Sequence, residues 1–151
     1  MTERIAACHC GEINLTVRGN PEHVSMCHCL HCQRRTGSAF SVQGYFSKSQ
    51  VTIKGSPKRY SRKGDSGRGV DFHFCPNCGS TSYWDVEPWP DKMGIPLGTF
   101  ADPSFVQSPN VSIFVTHCHP WVVIPEGPRT EGHSKKFNED AERALAELRK
   151  G

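Results

Sequence analysis

The chain has 151 residues, the length of one ordinary domain, and we expect a single domain over residues 1–151. Only 36% of the residues are hydrophobic, and no apolar run approaches the roughly 20 residues of a membrane-spanning helix, so the composition excludes that class of protein. A formal charge of +3 is too small to predict a nucleic-acid partner by itself.

Short strands separated by turns are the elements that the sequence predicts first. With 14 Gly and 11 Pro the chain is rich in turn residues, and we expect a mainly β fold. The first strand is predicted over residues 12–18, where apolar and polar side chains alternate. The same alternation recurs along the chain, and its apolar members are Ile13, Leu15, Val17, Val51, Ile53, Val70, Phe72, Phe74, Val111, Ile113 and Val115.

Three segments depart from this alternation. Residues 54–68 are rich in Lys and Arg and predict an exposed hairpin or loop. Residues 84–96 contain three prolines and predict an irregular excursion over the surface. The last element is a predicted helix over residues 138–150, capped by Asn138 and followed by two acidic residues that suit a helix start.

The eight cysteines are the most informative part of the composition. The opening residues lack the apolar stretch of a secretory signal, so we expect a cytoplasmic protein, in which disulfides are disfavoured. All but Cys118 lie in tight clusters, which favours shared metal ions over long-range disulfides. The clusters are Cys8 with Cys10, then Cys27 with Cys29 and Cys32, then Cys75 with Cys78.

The segment Cys75-Pro-Asn-Cys78-Gly79 has the pattern of a zinc knuckle, whose turn directs backbone N–H groups at two thiolates. A tetrahedral zinc site needs four ligands, and Cys8 with Cys10 is the pair closest in type. Four thiolates close the coordination sphere, so this site is predicted to be structural. Free thiols or a redox pair are the alternative.

The remaining cluster supplies three thiolates, from Cys27, Cys29 and Cys32. Three protein ligands and one open position are typical of catalytic zinc. The alternative is a second structural site, completed by one of His28, His31 or Cys118.

Two arginines, Arg34 and Arg35, follow this cluster directly. Guanidinium groups bind carboxylates in a bidentate manner, so both are candidate substrate-binding residues. Ordinary surface arginines are the alternative.

These motifs together resemble the glutathione-dependent formaldehyde-activating (GFA) enzymes, whose domain is also named for centromere protein V. The resemblance covers about residues 5–130 and includes Phe40, which ends the motif after the second cluster, and Trp121. The shared motifs are Cys8-His-Cys10-Gly11-Glu, Cys27-His-Cys29-Leu-His-Cys32-Gln-Arg-Arg-Thr-Gly37-Ser-Ala-Phe40, Phe74-Cys75-Pro-Asn-Cys78-Gly79-Ser, Gly98-Thr-Phe-Ala-Asp-Pro103 and Pro120-Trp121.

The resemblance implies a mainly β fold of the β-tent type with two zinc ions per chain, one structural and one catalytic. It places the structural zinc at Cys8, Cys10, Cys75 and Cys78, and the catalytic zinc at the other cluster. The implied activity is a carbon–sulfur lyase reaction, the reversible condensation of glutathione with formaldehyde to S-(hydroxymethyl)glutathione.

Two other functions share these cysteines. A zinc-dependent lyase acting on a different thiol adduct would differ only in its pocket. A non-enzymatic zinc module would bind a protein or nucleic acid through the basic residues of segment 54–68, and a fully closed second site would favour it.

Overall fold

The computed structural model of the protein describes residues 2–105, 107–148 and 150. Strands dominate it, with two α-helices and three short 3-10 helices at residues 48–50, 97–100 and 115–117. The strands are β1 (Glu3–Ala7), β2 (Asn14–Arg18), β3 (His23–Cys27), β4 (Ser41–Ser47), β5 (Val51–Lys54), β6 (Lys58–Lys63), β7 (Gly69–Phe74), β8 (Thr81–Val86), β9 (Trp89–Pro96), β10 (Val111–Ile113) and β11 (Arg129–Thr130), and the helices are α1 (Leu30–Thr36) and α2 (Lys135–Leu148).

The chain folds as two compact units. The first contains residues 2–22 and 44–105, and the second contains residues 23–43 and the described residues from 107 onward. The single zinc domain over residues 1–151 stays a prediction. No helix in the described ranges is long and apolar enough to cross a membrane.

A three-stranded antiparallel sheet, in the order β1-β2-β5, forms one part of the first unit. The alternation of residues 12–18 is confirmed, since Leu15 and Val17 of β2 are fully buried while the intervening side chains are more exposed. Ile13 lies just before β2 and is also buried. This sheet therefore presents one apolar face to the core.

The other strands of the first unit are β6, β7, β8 and β9, with the second half of β4 beside β9. The basic segment at residues 54–68 contains β6, which pairs with β7 in an antiparallel hairpin. Its side chains are mostly exposed. The predicted exposed hairpin is therefore confirmed.

The irregular excursion predicted for residues 84–96 is wrong, because this segment belongs mainly to the hairpin of β8 and β9. Trp84 and Trp89 are both buried. Pro88 occupies the turn, while Pro90 and Pro96 lie near the two ends of β9. Proline is tolerated at those places because its missing N–H removes no bond from the middle of a ladder.

The core of the first unit is built from fully buried apolar side chains such as Leu15, Phe46 and Ile95. Two cysteines, Cys8 and Cys75, belong to the same core. Burial of each large apolar side chain contributes roughly 1.5–3 kcal/mol to stability. The backbone around these two thiols is therefore held by the core itself.

In the second unit, β10 pairs in parallel with β3 on one side and with β11 on the other. The strand predicted through Val115 ends at Ile113, because Phe114 adopts a left-handed backbone with φ of 55°. Cys27 and Cys29 pack with Val111 and Ile113 in a small apolar cluster.

The C-terminal helix α2 begins three residues earlier than predicted. Its start is marked by Ser134, whose hydroxyl accepts a hydrogen bond from the Phe137 N–H at 3.2 Å, and not by Asn138. The helix α2 ends at Leu148; of the predicted end at residues 149–150, residue 149 lies outside the described residues and residue 150 lies in a turn.

Candidate metal centres

Four thiols from two loops meet in the first unit. They belong to Cys8, Cys10, Cys75 and Cys78, and their sulfur atoms all lie within 4.8 Å of one another. The Cys10 sulfur is 3.6 Å from the sulfurs of both Cys8 and Cys75. Tetrahedral zinc with bonds of about 2.3 Å to sulfur places its sulfurs about 3.8 Å apart. This cluster can therefore hold a metal ion.

Two tight loops bring these thiols into place. After β1, the Gly11 N–H donates to the Cys8 carbonyl, with Gly11 in the left-handed region at φ 79°. After β7, the Gly79 N–H donates to the Cys75 carbonyl at 2.9 Å, with φ 76°. Glycine adopts this backbone without steric cost, so each loop can turn back over its own cysteines.

Hydrogen bonds to the sulfurs favour the thiolate form that binds metal. Bonds with the hydroxyl and backbone of Ser80 lower the pKa of Cys78 to about 5. Burial raises the pKa of Cys8, but the Ile13 N–H, 3.2 Å from its sulfur, and the neighbouring thiols outweigh burial, and the net shift is downward. At Cys75 the Cys78 N–H lowers the pKa, but burial and the neighbouring thiols outweigh this bond and raise the pKa to about 11. The hydrogen bonds therefore favour the thiolate form at Cys8 and Cys78 but not at Cys75.

Three thiols meet in the second unit. They belong to Cys27, Cys29 and Cys32, and their sulfur atoms also lie within 4.8 Å of one another. Cys27 ends β3, and Cys29 caps α1, where its sulfur accepts a hydrogen bond from the Cys32 N–H at 3.3 Å. The strand end and the first helical turn thus position all three side chains.

These three sulfurs compete for protons. Hydrogen bonds from Cys27 and Cys32 lower the pKa of Cys29 to about 2. The pKa of Cys27 is raised, because it donates to neighbours that carry the negative charge. Three thiolates this close repel one another unless a cation lies between them, so this cluster also has the chemistry of a metal site.

No fourth His, Cys or carboxylate joins this cluster among the described residues. His28 is fully buried, its ring nitrogens have no hydrogen-bond partner among those residues, and burial lowers its pKa. His31 is exposed, and the Cys118 sulfur lies 3.5 Å from the His119 carbonyl. None of these three candidate closing ligands has a ligand atom grouped with the triplet of sulfurs.

The two arginines after the triplet lie in different surroundings. The guanidinium of Arg35 donates to the Ser41 hydroxyl at 2.9 Å. Arg34 is exposed and lines a hollow of about 370 Å³. This hollow is bounded by Gln33 and Arg34 of α1, by residues 37–39, and by His119 and Trp121. Its volume lies within the range of small-molecule sites, roughly 300–1,000 Å³.

Sequence reasoning missed Gln33 and His119 as members of this hollow. Gln33 directly follows a cysteine of the triplet, and His119 directly precedes the Pro120-Trp121 motif, so both lie beside recognisable motifs. Only the fold brings these two residues, 86 positions apart in sequence, to a hydrogen bond of 3.0 Å.

Comparison with known proteins agrees with the cysteine pattern. The profile of the family described as glutathione-dependent formaldehyde-activating enzyme matches residues 3–117, which include all seven clustered cysteines. This matched range is most of the chain.

Three fungal relatives carry the name "Putative glutathione-dependent formaldehyde-activating enzyme". The protein from Colletotrichum graminicola is 28% identical over 134 residues, 86% of this chain and 69% of its own length. The protein from Pyrenophora teres is 30% identical over 48% of this chain, and the one from Penicillium rubens is 26% identical over 53%. The chain spans 38% and 42% of the lengths of these last two.

A crystal structure of a Rhodobacter sphaeroides protein has a similar fold, with a TM-score of 0.52 and 20% sequence identity. The likeness covers 66% of this chain and 92% of that one. Together with the predominance of strands, it confirms the expected mainly β fold class. The matched profile and the ordered cysteine motifs show that the chain belongs to the glutathione-dependent formaldehyde-activating enzyme family.

Proposed function

We propose that the protein is a zinc-dependent carbon–sulfur lyase that reversibly condenses glutathione with formaldehyde to S-(hydroxymethyl)glutathione. Family membership supports the substrates, which appear in the family's description. The observation that carries the proposal is the triplet of Cys27, Cys29 and Cys32, which has no fourth protein ligand among the described residues. Three ligands leave a coordination position for a substrate.

The two clusters have different roles in this proposal. A zinc ion held by Cys8, Cys10, Cys75 and Cys78 is closed by protein ligands, and two of these thiols are part of the apolar core. That site is structural. A second zinc ion, at the triplet, supplies Lewis-acid chemistry that keeps a substrate thiol deprotonated near neutral pH.

The reaction itself makes one carbon–sulfur bond. The thiol sulfur bonds to the formaldehyde carbon, the carbonyl π electrons move to oxygen, and the proton lost by the thiol ends on that oxygen. The reverse reaction breaks the same bond and returns the proton to sulfur. No oxidant or reductant is consumed.

The protein residues bind and orient the thiol. Arg34 is exposed at the hollow and is proposed to bind a carboxylate of glutathione. The guanidinium of Arg35 donates to Ser41. We therefore propose that Arg35 supplies positive charge beside the triplet and does not bind a second substrate carboxylate. Thiol ligands need a reducing environment, which favours a cytoplasmic location.

The surface charges give less support to a nucleic-acid or protein-binding zinc module. In the basic hairpin, Arg59 lies 3.6 Å from Asp71 and Arg62 lies 3.9 Å from Asp65. These carboxylates offset part of the positive charge that a phosphate backbone would need.

The test compares the wild type with Cys32→Ser, and uses Cys118→Ser as the matched control, since Cys118 belongs to neither cluster. Zinc content, thermal unfolding, glutathione binding and formaldehyde exchange are measured for each protein. We expect two zinc ions in the wild type and in Cys118→Ser. Cys32→Ser should keep its cooperative unfolding and one zinc ion, and it should lose glutathione binding and acceleration of exchange.

Acceleration is judged against the uncatalysed reaction, because thiols add to formaldehyde without help. Wild-type exchange equal to that background would contradict the enzyme proposal. Full acceleration in Cys32→Ser would show that the triplet is not the catalytic site.

A further inference from the structure

The side chain of Gln33, on α1, lines the hollow and forms hydrogen bonds with residues on either side of it in the sequence. The Gln33 amide nitrogen donates to the His28 carbonyl at 2.9 Å and to the His117 carbonyl at 3.1 Å. Both partners are carbonyls, which only accept hydrogen bonds. The two amide protons of Gln33 are therefore used, and the orientation of its amide group follows from the network.

This orientation determines which nitrogen of His119 carries a proton. The Gln33 amide oxygen lies 3.0 Å from Nε2 of His119. Because that oxygen can only accept, Nε2 of His119 must donate. In the neutral imidazole the other nitrogen, Nδ1, is then the acceptor, and no hydrogen bond engages it among the described residues.

Two further residues, Arg34 and Trp121, line the same hollow as His119. Arg34 supplies a permanent positive charge and several N–H donors. Trp121 is 71% exposed, unusual for so large an apolar side chain, and its ring lies 5.7 Å from the His119 ring. The site thus combines a cation, a hydrogen-bond acceptor and a flat apolar surface.

We propose that Gln33 is a positioning residue that holds His119 with Nε2 protonated, so that the acceptor Nδ1 of His119 and the guanidinium of Arg34, two residues that line the same hollow, select thiols carrying both a carboxylate and an N–H group. Amino-acid and peptide thiols have both groups, whereas simple mercapto acids lack the N–H. The inference rests on the proposed function, since it concerns the thiol that this site would admit.

The protonation state of His119 is measured directly on the zinc-loaded wild type. Histidine labelled with ¹⁵N is observed by two-bond nitrogen–proton correlation at about pH 8, where an ordinary imidazole is neutral. The His119 signals are assigned by their loss in His119→Phe. We expect the Nε2–H tautomer in the wild type. The Nδ1–H tautomer would overturn the inference whatever the protein's activity.

Selectivity is measured with glutathione and 3-mercaptopropionate as paired probes. Gln33→Met and His119→Phe should raise KM for glutathione about tenfold, with kcat within about twofold of the wild type and KM for 3-mercaptopropionate little changed. Arg34→Ala should weaken the binding of both thiols, because both carry a carboxylate. His117→Ala is the matched control: His117 accepts the Gln33 hydrogen bond through its backbone carbonyl, and His117 is not among the residues that line the hollow.

Unchanged preference for glutathione in both Gln33→Met and His119→Phe would overturn the inference and leave the lyase proposal intact. If the wild type accelerates neither probe, the lyase proposal fails, and the inference is judged on binding alone. Glutathione added to the zinc-loaded protein should then shift the His119 and Trp121 signals of the wild type, with binding about tenfold weaker in His119→Phe. If glutathione shifts neither of these signals, the inference is overturned.

Discussion

Gly94 of β9 lies directly opposite Trp84 of β8, and a β-carbon added at Gly94 would overlap the indole ring. Trp84 is buried, with 4% of its surface exposed, so its ring has little room to move away. The hairpin of β8 and β9, which stands where the sequence predicts an irregular segment, therefore depends on the absence of one methyl group.

Gly94→Ala should lower the free energy of unfolding by about 1–3 kcal/mol, the usual cost of overpacking a core. Denaturant unfolding followed by tryptophan fluorescence measures it. Gly98→Ala is the matched control, because a β-carbon there meets no described atom within 4 Å and the backbone has no positive φ. Equal stability of the two variants would contradict the packing described for Trp84.

Removing metal should unfold the protein through the four-thiol cluster. Zinc binding in small peptides is worth roughly 10–16 kcal/mol, and a domain's net stability is only about 5–15 kcal/mol. Cys75→Ser and Cys10→Ser should therefore give unfolded or insoluble protein, while Cys118→Ser folds normally. Circular dichroism and zinc analysis of each variant are the measurements. A soluble Cys75→Ser protein that melts cooperatively would show that the structural site lies elsewhere.

Loss of Ser104 should raise the pKa of Asp102. The Asp102 carboxylate accepts hydrogen bonds from the Ser104 hydroxyl at 2.6 Å and from its N–H at 2.9 Å, and these hold the pKa of Asp102 below its ordinary value of 3.8. A carboxyl whose pKa is lower when folded stabilises the fold above its unfolded pKa, and this stabilisation disappears as pH falls through the folded pKa.

The titration of Asp102, followed by carbon NMR below about pH 5, should move upward in Ser104→Ala. Ser56→Ala, at an exposed position of the same unit, is the control and should leave it unchanged. An identical titration in Ser104→Ala would mean that the hydroxyl does not stabilise this carboxylate.

The start of α2 should fray when Ser134 loses its hydroxyl. The Ser134 hydroxyl accepts from the Phe137 N–H at 3.2 Å, and replacing such a cap with alanine costs about 1 kcal/mol. Amide hydrogen exchange at Phe137 should be faster in Ser134→Ala and close to the wild-type rate in Ser134→Asp. Equal protection in all three proteins would contradict capping by Ser134.

Features that depend on neighbouring residues were accessible from the sequence. The alternation through Leu15 and Val17 predicts β2, because side chains of a strand alternate between its two faces. The grouping of Cys27, Cys29 and Cys32 is also local, since gaps of two and three positions keep their sulfurs within reach of one ion. The order of the cysteine motifs along the chain is specific enough by itself to indicate the family.

The tertiary structure alone decided the features that depend on distant partners. The hairpin forms despite Pro88 because Trp84 and Trp89 are buried in it. The strand propensities of single residues do not include the free energy of that burial. Arg34 and Arg35 are adjacent in sequence, yet one lines the hollow and the other binds Ser41. The bond between Gln33 and His119 joins residues 86 positions apart, and such a contact exists only after the chain between them has folded.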